Sequence, residues 1–252
     1  MVIGLDVFRA HFEAYADRYL LIGGSACDLL MDEAGLTFRA TKDLDIVLCV
    51  EALDADFARA FWEFVRAGQY QIREKSTGQR QFYRFQKPGT EGYPFMLELF
   101  SRVLDALQIA EGSHLTPLPM EEEVSSLSAI LMDGEYYAFI RSGRQESGGL
   151  PIVGAAHLIP LKVRAWHHLI ARKQSGEPVD SKAIKKHKND VFRLYQIIDP
   201  DFDPGAPDEI KDDLRAFIEA MASEDVDLKS LGVRAGALDE VLQGLQSVYR
   251  LS

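Results

Sequence analysis

The chain changes its hydropathy pattern once, near residue 154. Before that point, short apolar runs recur between turn signals; after it, only the periodicity of amphipathic helices remains. That switch confines the fold to an α+β layout. We expect a small mixed β-sheet with flanking helices over 1–154, then an all-helical C-terminal half over 155–252. Tyr19-Leu20-Leu21-Ile22 closes at Gly23-Gly24 and predicts a buried strand, after which Ser25 opens a helix running to Glu33. Residues 44–50 predict a second buried strand, and 52–67 an amphipathic helix carrying Phe57, Phe61, Phe64 and Val65. Strand-like runs follow at 69–74, 81–86 and 94–100. Asp133-Gly134, between apolar runs at 127–132 and 135–140, reads as a hairpin turn. Helical periodicity covers 5–17, 156–173, 182–198, 207–222 and 236–249.

Several function classes drop out early. No stretch approaches the roughly 18 apolar residues of a membrane-spanning helix. Asp6, Arg9, His11 and Glu13 interrupt any leader-like apolar core. Cys27 and Cys49 are the only cysteines, too few for a disulfide scaffold or a zinc cluster. A cytoplasmic protein with no membrane partner is the expectation. The formal net charge is −11, yet residues 160–193 hold nine Lys/Arg against three acids, leaving −17 elsewhere. A local basic segment in an acidic chain can hold phosphate groups, or it can simply be the wet face of two helices.

Familiar phosphate and nucleophile motifs fail. Cys27 stands where a nucleophile elbow around Ser25 needs glycine. No segment spells a P-loop or a dinucleotide fingerprint. The 199–203 acidic run has Pro204 where a calcium loop needs glycine.

Three pieces remain. Gly23-Gly24-Ser25 sits at a strand-to-helix turn, where backbone N–H groups favour an anion, although Ser25 can equally be a plain helix cap. Asp43 and Asp45 lie two apart on a strand, on one face and about 7 Å from each other, where like charges repel and a divalent cation relieves them. Frayed strand starts in water show the same pattern. Glu98 interrupts the apolar strand Phe95–Phe100, as a third oxygen ligand or as an edge charge that discourages aggregation.

Gly-Gly-Ser-Ala at 23–26 and Arg-Ala-Thr-Lys-Asp-Leu-Asp at 39–45 resemble the nucleotidyltransferase superfamily with the DNA polymerase β-like catalytic fold. Within it, the segment resembles the AbiEii group, the nucleotidyltransferase-like toxins of bacterial toxin–antitoxin and phage-defence systems. The resemblance is specific over 19–50 and thin beyond about 100. It implies that Asp43, Asp45 and Glu98 bind one or two Mg²⁺ ions and that Gly23, Gly24 and Ser25 hold the phosphates of an NTP. Arg39 is then a phosphate or acceptor contact. It also implies a site lysine at Lys162 and a site aspartate at Asp190. Members of the group often carry a second aspartate three residues on, where this chain has Arg193, so an Asp190–Arg193 ion pair is the plainer reading.

The implied activity is Mg²⁺-dependent transfer of an NMP from an NTP to an acceptor hydroxyl, with pyrophosphate released. The implied acceptor is tRNA or a protein, and an antitoxin partner is part of the implied setting. The alternatives are a nucleotide-binding module without catalysis and a nucleotidyltransferase that modifies a small molecule of the aminoglycoside type.

Overall fold

A computed structural model describes residues 2–49, 54–72, 82–100, 133–234 and 236–251. The chain forms two compact units. The first takes the described residues of 1–33, 39–120 and 144–153, and the second those of 34–38, 121–143 and 154–252.

The first unit is built on a sheet whose described strands run in the order β3-β4-β5-β2-β1-β7-β6. These are β1 (Tyr19–Ile22), β2 (Asp43–Leu48), β3 (Gln71–Ile72), β4 (Phe82–Gln86), β5 (Met96–Phe100), β6 (Arg144–Ser147) and β7 (Leu150–Val153). β2 runs antiparallel to β1 and parallel to β5, and β7 is parallel to β1, so the sheet is mixed as expected. α1 (Leu5–Phe12) passes through a 3₁₀ turn into β1, and α2 (Gly23–Glu33) follows β1 without a loop. α3 (Ala55–Ala67) is capped by the Asp54 carboxylate, which accepts from the Phe57 amide at 2.8 Å. The apolar stripe read from the sequence becomes an aromatic core: Phe8, Phe12, Tyr19, Phe57, Phe61 and Phe64 are buried against one another. Each such pair adds about 0.5–1.5 kcal/mol beyond the area it hides.

The Asp133-Gly134 hairpin is corrected. Residues 135–140 lie in a helix, α4 (Gly134–Ser142), and Asp133 is its N-cap, accepting from the amides of Glu135 at 2.8 Å and Tyr136 at 3.3 Å. The 127–132 run, and residues 73, 74 and 81 of two further strand readings, lie outside the described residues. A tight hairpin is found instead at β6–β7, turned by Gly148 and Gly149.

The second unit also holds α5 (Ala155–Gln174), α6 (Ser181–Tyr195), α7 (Asp208–Ala222) and α8 (Leu238–Val248), as the periodicity expected. Pro160 inside α5 donates no hydrogen bond to the Ala156 carbonyl. The Tyr249 hydroxyl donates to that oxygen instead, at 2.7 Å. His157 is buried against the Phe139 ring, 4.5 Å between centroids, and burial pulls its pKa down to about 4. The native imidazole is therefore neutral where the unfolded one, near pKa 6.5, takes up a proton. Stability from this group is complete above pH 6.5 and is lost as pH falls towards 4, by about 3 kcal/mol at pH 4. Urea melts read at the second unit should show this acid slope in the unmutated chain and a flatter one in His157→Gln.

Candidate active site

The first unit brings seven of the residues singled out above to the β1–α2 turn and the strands beside it. Ile22 ends β1, and Gly23 takes a left-handed backbone with φ +67° so that α2 can start at once. A Cβ on Gly23 would lie 1.7 Å from Oδ2 of Asp45, so this carboxylate rests directly over the turn. A Cβ on Gly24 would lie 2.6 Å from the Thr41 hydroxyl and 3.5 Å from the Arg39 guanidinium. The first turn of α2 contains no acidic side chain of its own, so the carboxylate at this helix end is the one that β2 brings, Asp45. The Ser25 hydroxyl is fully buried and donates to the Ile22 carbonyl at 3.3 Å, so it ties the turn together.

Gly23→Ala should therefore fail twice, through the left-handed backbone and through overlap with Asp45. We expect a loss of about 3 kcal/mol in the first unit's unfolding free energy, with displacement of Asp45. Hydrogen exchange across β1 and α2 measures this.

Register supplies what the linear spacing does not show. Ile22 pairs with Asp45, Asp45 with Glu98, and Glu98 with Arg84, in one row across β1, β2, β5 and β4. Glu98 is only 7% exposed. Its Oε1 accepts from Nε and a terminal nitrogen of Arg84, each at 2.7 Å. Glu98 also stands directly opposite Asp45 in the register of β2 and β5. Burial first and the Asp45 charge second hold the Glu98 pKa well above the usual carboxylate range, while Arg84 pulls the other way. Asp43 is half-buried at the start of β2, two residues from Asp45.

Among the described residues, no group of three or more His, Cys, Asp or Glu side chains is arranged to hold a metal ion. The fit to a divalent cation rests on donor chemistry: hard carboxylate oxygens of Asp45 and Glu98 at paired positions on neighbouring strands, with Asp43 two residues away.

Lys162 and Asp190 belong to the second unit, where they form a cluster of their own. Lys162 Nζ lies 3.3 Å from Oδ2 of Asp190, and Arg193 lies 3.5 Å from Oδ1. Asp190 is completely buried and Lys162 is 5% exposed. The Arg193 guanidinium sits over the Phe38 ring. Other cations of the 160–193 segment are also spent inside the unit. Arg164 pairs with Asp213 and Glu209, Arg172 with Glu177, and Lys188 with Glu224.

Sequence reasoning missed Arg84 and Thr41. Arg84 left a signal: an arginine in an aromatic strand, Phe82-Tyr83-Arg84-Phe85, needs an anion on its neighbour. Thr41 stood inside the 39–45 segment that carried the resemblance, but without a role of its own.

No family model and no curated protein matches the chain. Among solved structures, it is similar to an antigenic nucleotidyltransferase-like protein from Paracoccidioides brasiliensis, with 15% identity over 97% of both chains and a TM-score of 0.42. Among the described residues, no helix is long and apolar enough to cross a membrane.

Proposed function

We propose that the chain is a divalent-cation-dependent nucleotidyltransferase that moves a nucleoside monophosphate from an NTP to an acceptor hydroxyl. The observation that carries this reading is the seat of Asp45, over Gly23 at the start of α2 and opposite buried Glu98 in the sheet register. It sets carboxylates that call for a cation beside a helix end that suits a phosphate.

Asp43 and Asp45 would hold Mg²⁺, with Glu98 beside them. When bound, the ion supplies charge neutralisation at the α-phosphate and the departing pyrophosphate. The chain's own groups do the positioning. The N–H groups at the start of α2, with Gly23 and Gly24 leaving room, and the Arg39 guanidinium orient the triphosphate. The acceptor oxygen bonds to the α-phosphorus as the bond to pyrophosphate breaks, and the hydroxyl proton is released to solvent. Lys162 and Asp190 carry a structural task in this account, because each is the other's buried counter-charge.

The toxin-like form of this reading, with tRNA or protein as acceptor and an antitoxin as partner, rests on the 23–26 and 39–45 segments. One observation favours a small cationic acceptor instead. Lys162, Arg164, Arg172, Lys188 and Arg193, five of the nine cations in 160–193, are paired with carboxylates, which takes charge away from an RNA-binding face.

The test incubates the chain with Mg²⁺, each α-labelled NTP and a cell extract, which is then separated into RNA, protein and small molecules. Label in one fraction, absent with the Asp43→Asn/Asp45→Asn chain, supports the transferase and identifies the acceptor class. No label with any NTP, while nucleotide still raises the melting temperature, supports the binding module.

A further inference from the structure

The chain that leads into β2 crosses the start of α2 and covers both glycines of the turn. Asp45 rests over Gly23, and Thr41, two residues before the strand, rests over Gly24. A Cβ at position 24 would lie 2.6 Å from Oγ1 of Thr41 and 3.2 Å from its Cβ. The Thr41 side chain therefore fills the space that a side chain at position 24 would take, an approach that only glycine permits. Thr41 is half-buried, and its hydroxyl makes no hydrogen bond among the described residues. The Ser25 hydroxyl, in contrast, is fully buried and committed to the Ile22 carbonyl. An ionised Asp45 carboxylate only accepts, and Ser25 donates inward, so Thr41 is the hydroxyl placed to donate to an anion in front of α2.

We propose that Thr41, in place of Ser25, supplies the hydroxyl that binds the triphosphate. It donates to a phosphate oxygen at the start of α2, beside the Arg39 guanidinium, which lies 3.5 Å from the same Cβ position. Gly24 takes part by leaving room for Thr41. This deepens the transferase reading and rests on it for the identity of the ligand. The contact holds the nucleotide before and during transfer alike, so its loss raises KM and leaves kcat nearly unchanged.

The test titrates inorganic tripolyphosphate with Mg²⁺ into the full chain by calorimetry, because this probe carries the phosphates of any NTP and no base. Thr41→Val keeps the shape and removes the hydroxyl. It should weaken binding about tenfold, the scale of one hydrogen bond to a charged group. Thr41→Ser, which keeps the hydroxyl, should stay within about twofold of the unmutated chain. Gly24→Ala should weaken binding at least as much as Thr41→Val, because its Cβ displaces Thr41, and combining the two should bring no further loss. Unchanged binding by Thr41→Val overturns the proposal. So does a further tenfold loss in the double variant, or no binding of tripolyphosphate to the unmutated chain. If circular dichroism shows that Thr41→Val does not fold, Thr41→Ala takes its place with the same outcomes. Label transfer measured in parallel separates the two claims. A tenfold loss of binding without transfer from any NTP defeats the transferase reading alone. Transfer with the same KM in Thr41→Val and the unmutated chain defeats the Thr41 assignment alone.

Discussion

Asp45→Asn should lower the proposed nucleotidyl transfer about a thousandfold or more and leave the fold in place. The substitution keeps the shape of the side chain over Gly23 and removes its charge. The neighbouring groups explain why stability survives. Asp45 faces Glu98 across β2 and β5, and its charge is one of the causes that raise the Glu98 pKa. Taking that charge away relieves a repulsion, and an amide can still donate to a Glu98 oxygen. Melting temperature should therefore hold or rise slightly while transfer vanishes. A variant that keeps full transfer removes Asp45 from the chemistry. One that loses transfer together with its circular dichroism says only that the residue supports the sheet. Asp43→Asn is the companion experiment, since Asp43 lies two residues away at the start of the same strand.

The second large effect belongs to the helical unit. Asp190→Ala should cost about 3–5 kcal/mol, because it takes a carboxylate at 3.3 Å away from a buried ammonium. Asp190 is fully buried and flanked by Lys162 at 3.3 Å and Arg193 at 3.5 Å. Lys162 has almost no route to water at 5% exposure, whereas Arg193 keeps part of its surface wet and stacks on Phe38. The damage should therefore trace to the lysine. The double variant Lys162→Met/Asp190→Leu should recover most of the lost stability, since an apolar pair of similar volume removes both desolvation costs. Hydrogen exchange along α5 and α6 provides the readout, because it follows the second unit directly. Recovery of stability with recovery of transfer assigns the pair to structure. Recovery of stability without transfer returns Lys162 to the chemistry.

Much of this was legible in the sequence because burial writes a strong pattern. Tyr19–Ile22 ends at two glycines, and only a buried strand turning sharply into a helix suits that order. The α+β layout and the run of helices after Gly154 followed from periodicity in the same way. The Asp-Gly reading failed for a physical reason. An aspartate before glycine serves a tight turn and a helix N-cap equally well, and the amides of Glu135 and Tyr136 claimed the Asp133 carboxylate. The β6–β7 hairpin was hidden because Arg144–Ser147 carries little apolar content to mark a strand.

The site was legible as residue types and not as partners. Alternation placed Asp43 and Asp45 on one face, yet nothing in their spacing reveals that Glu98 stands opposite Asp45 and not one position away. That register also brings Arg84 onto Glu98 from β4, on the far side of β5 from Asp45. The basic segment shows the converse. Its charge count is plain in sequence, but the partners Glu209, Asp213 and Glu224 come from α7 and the turn that follows it, so the count overstated the free charge.

The central claim is that the reaction moves a nucleoside monophosphate, so the measurement that tests it most directly compares two labels of one NTP. The unmutated chain, Mg²⁺ and the acceptor fraction are incubated in parallel with α-labelled and γ-labelled nucleotide. The account predicts acceptor label from the α position only, with the γ label recovered as pyrophosphate, and neither product from the Asp43→Asn/Asp45→Asn chain. Acceptor labelled from the γ position would contradict it, because the bond broken would then be the one that a kinase breaks.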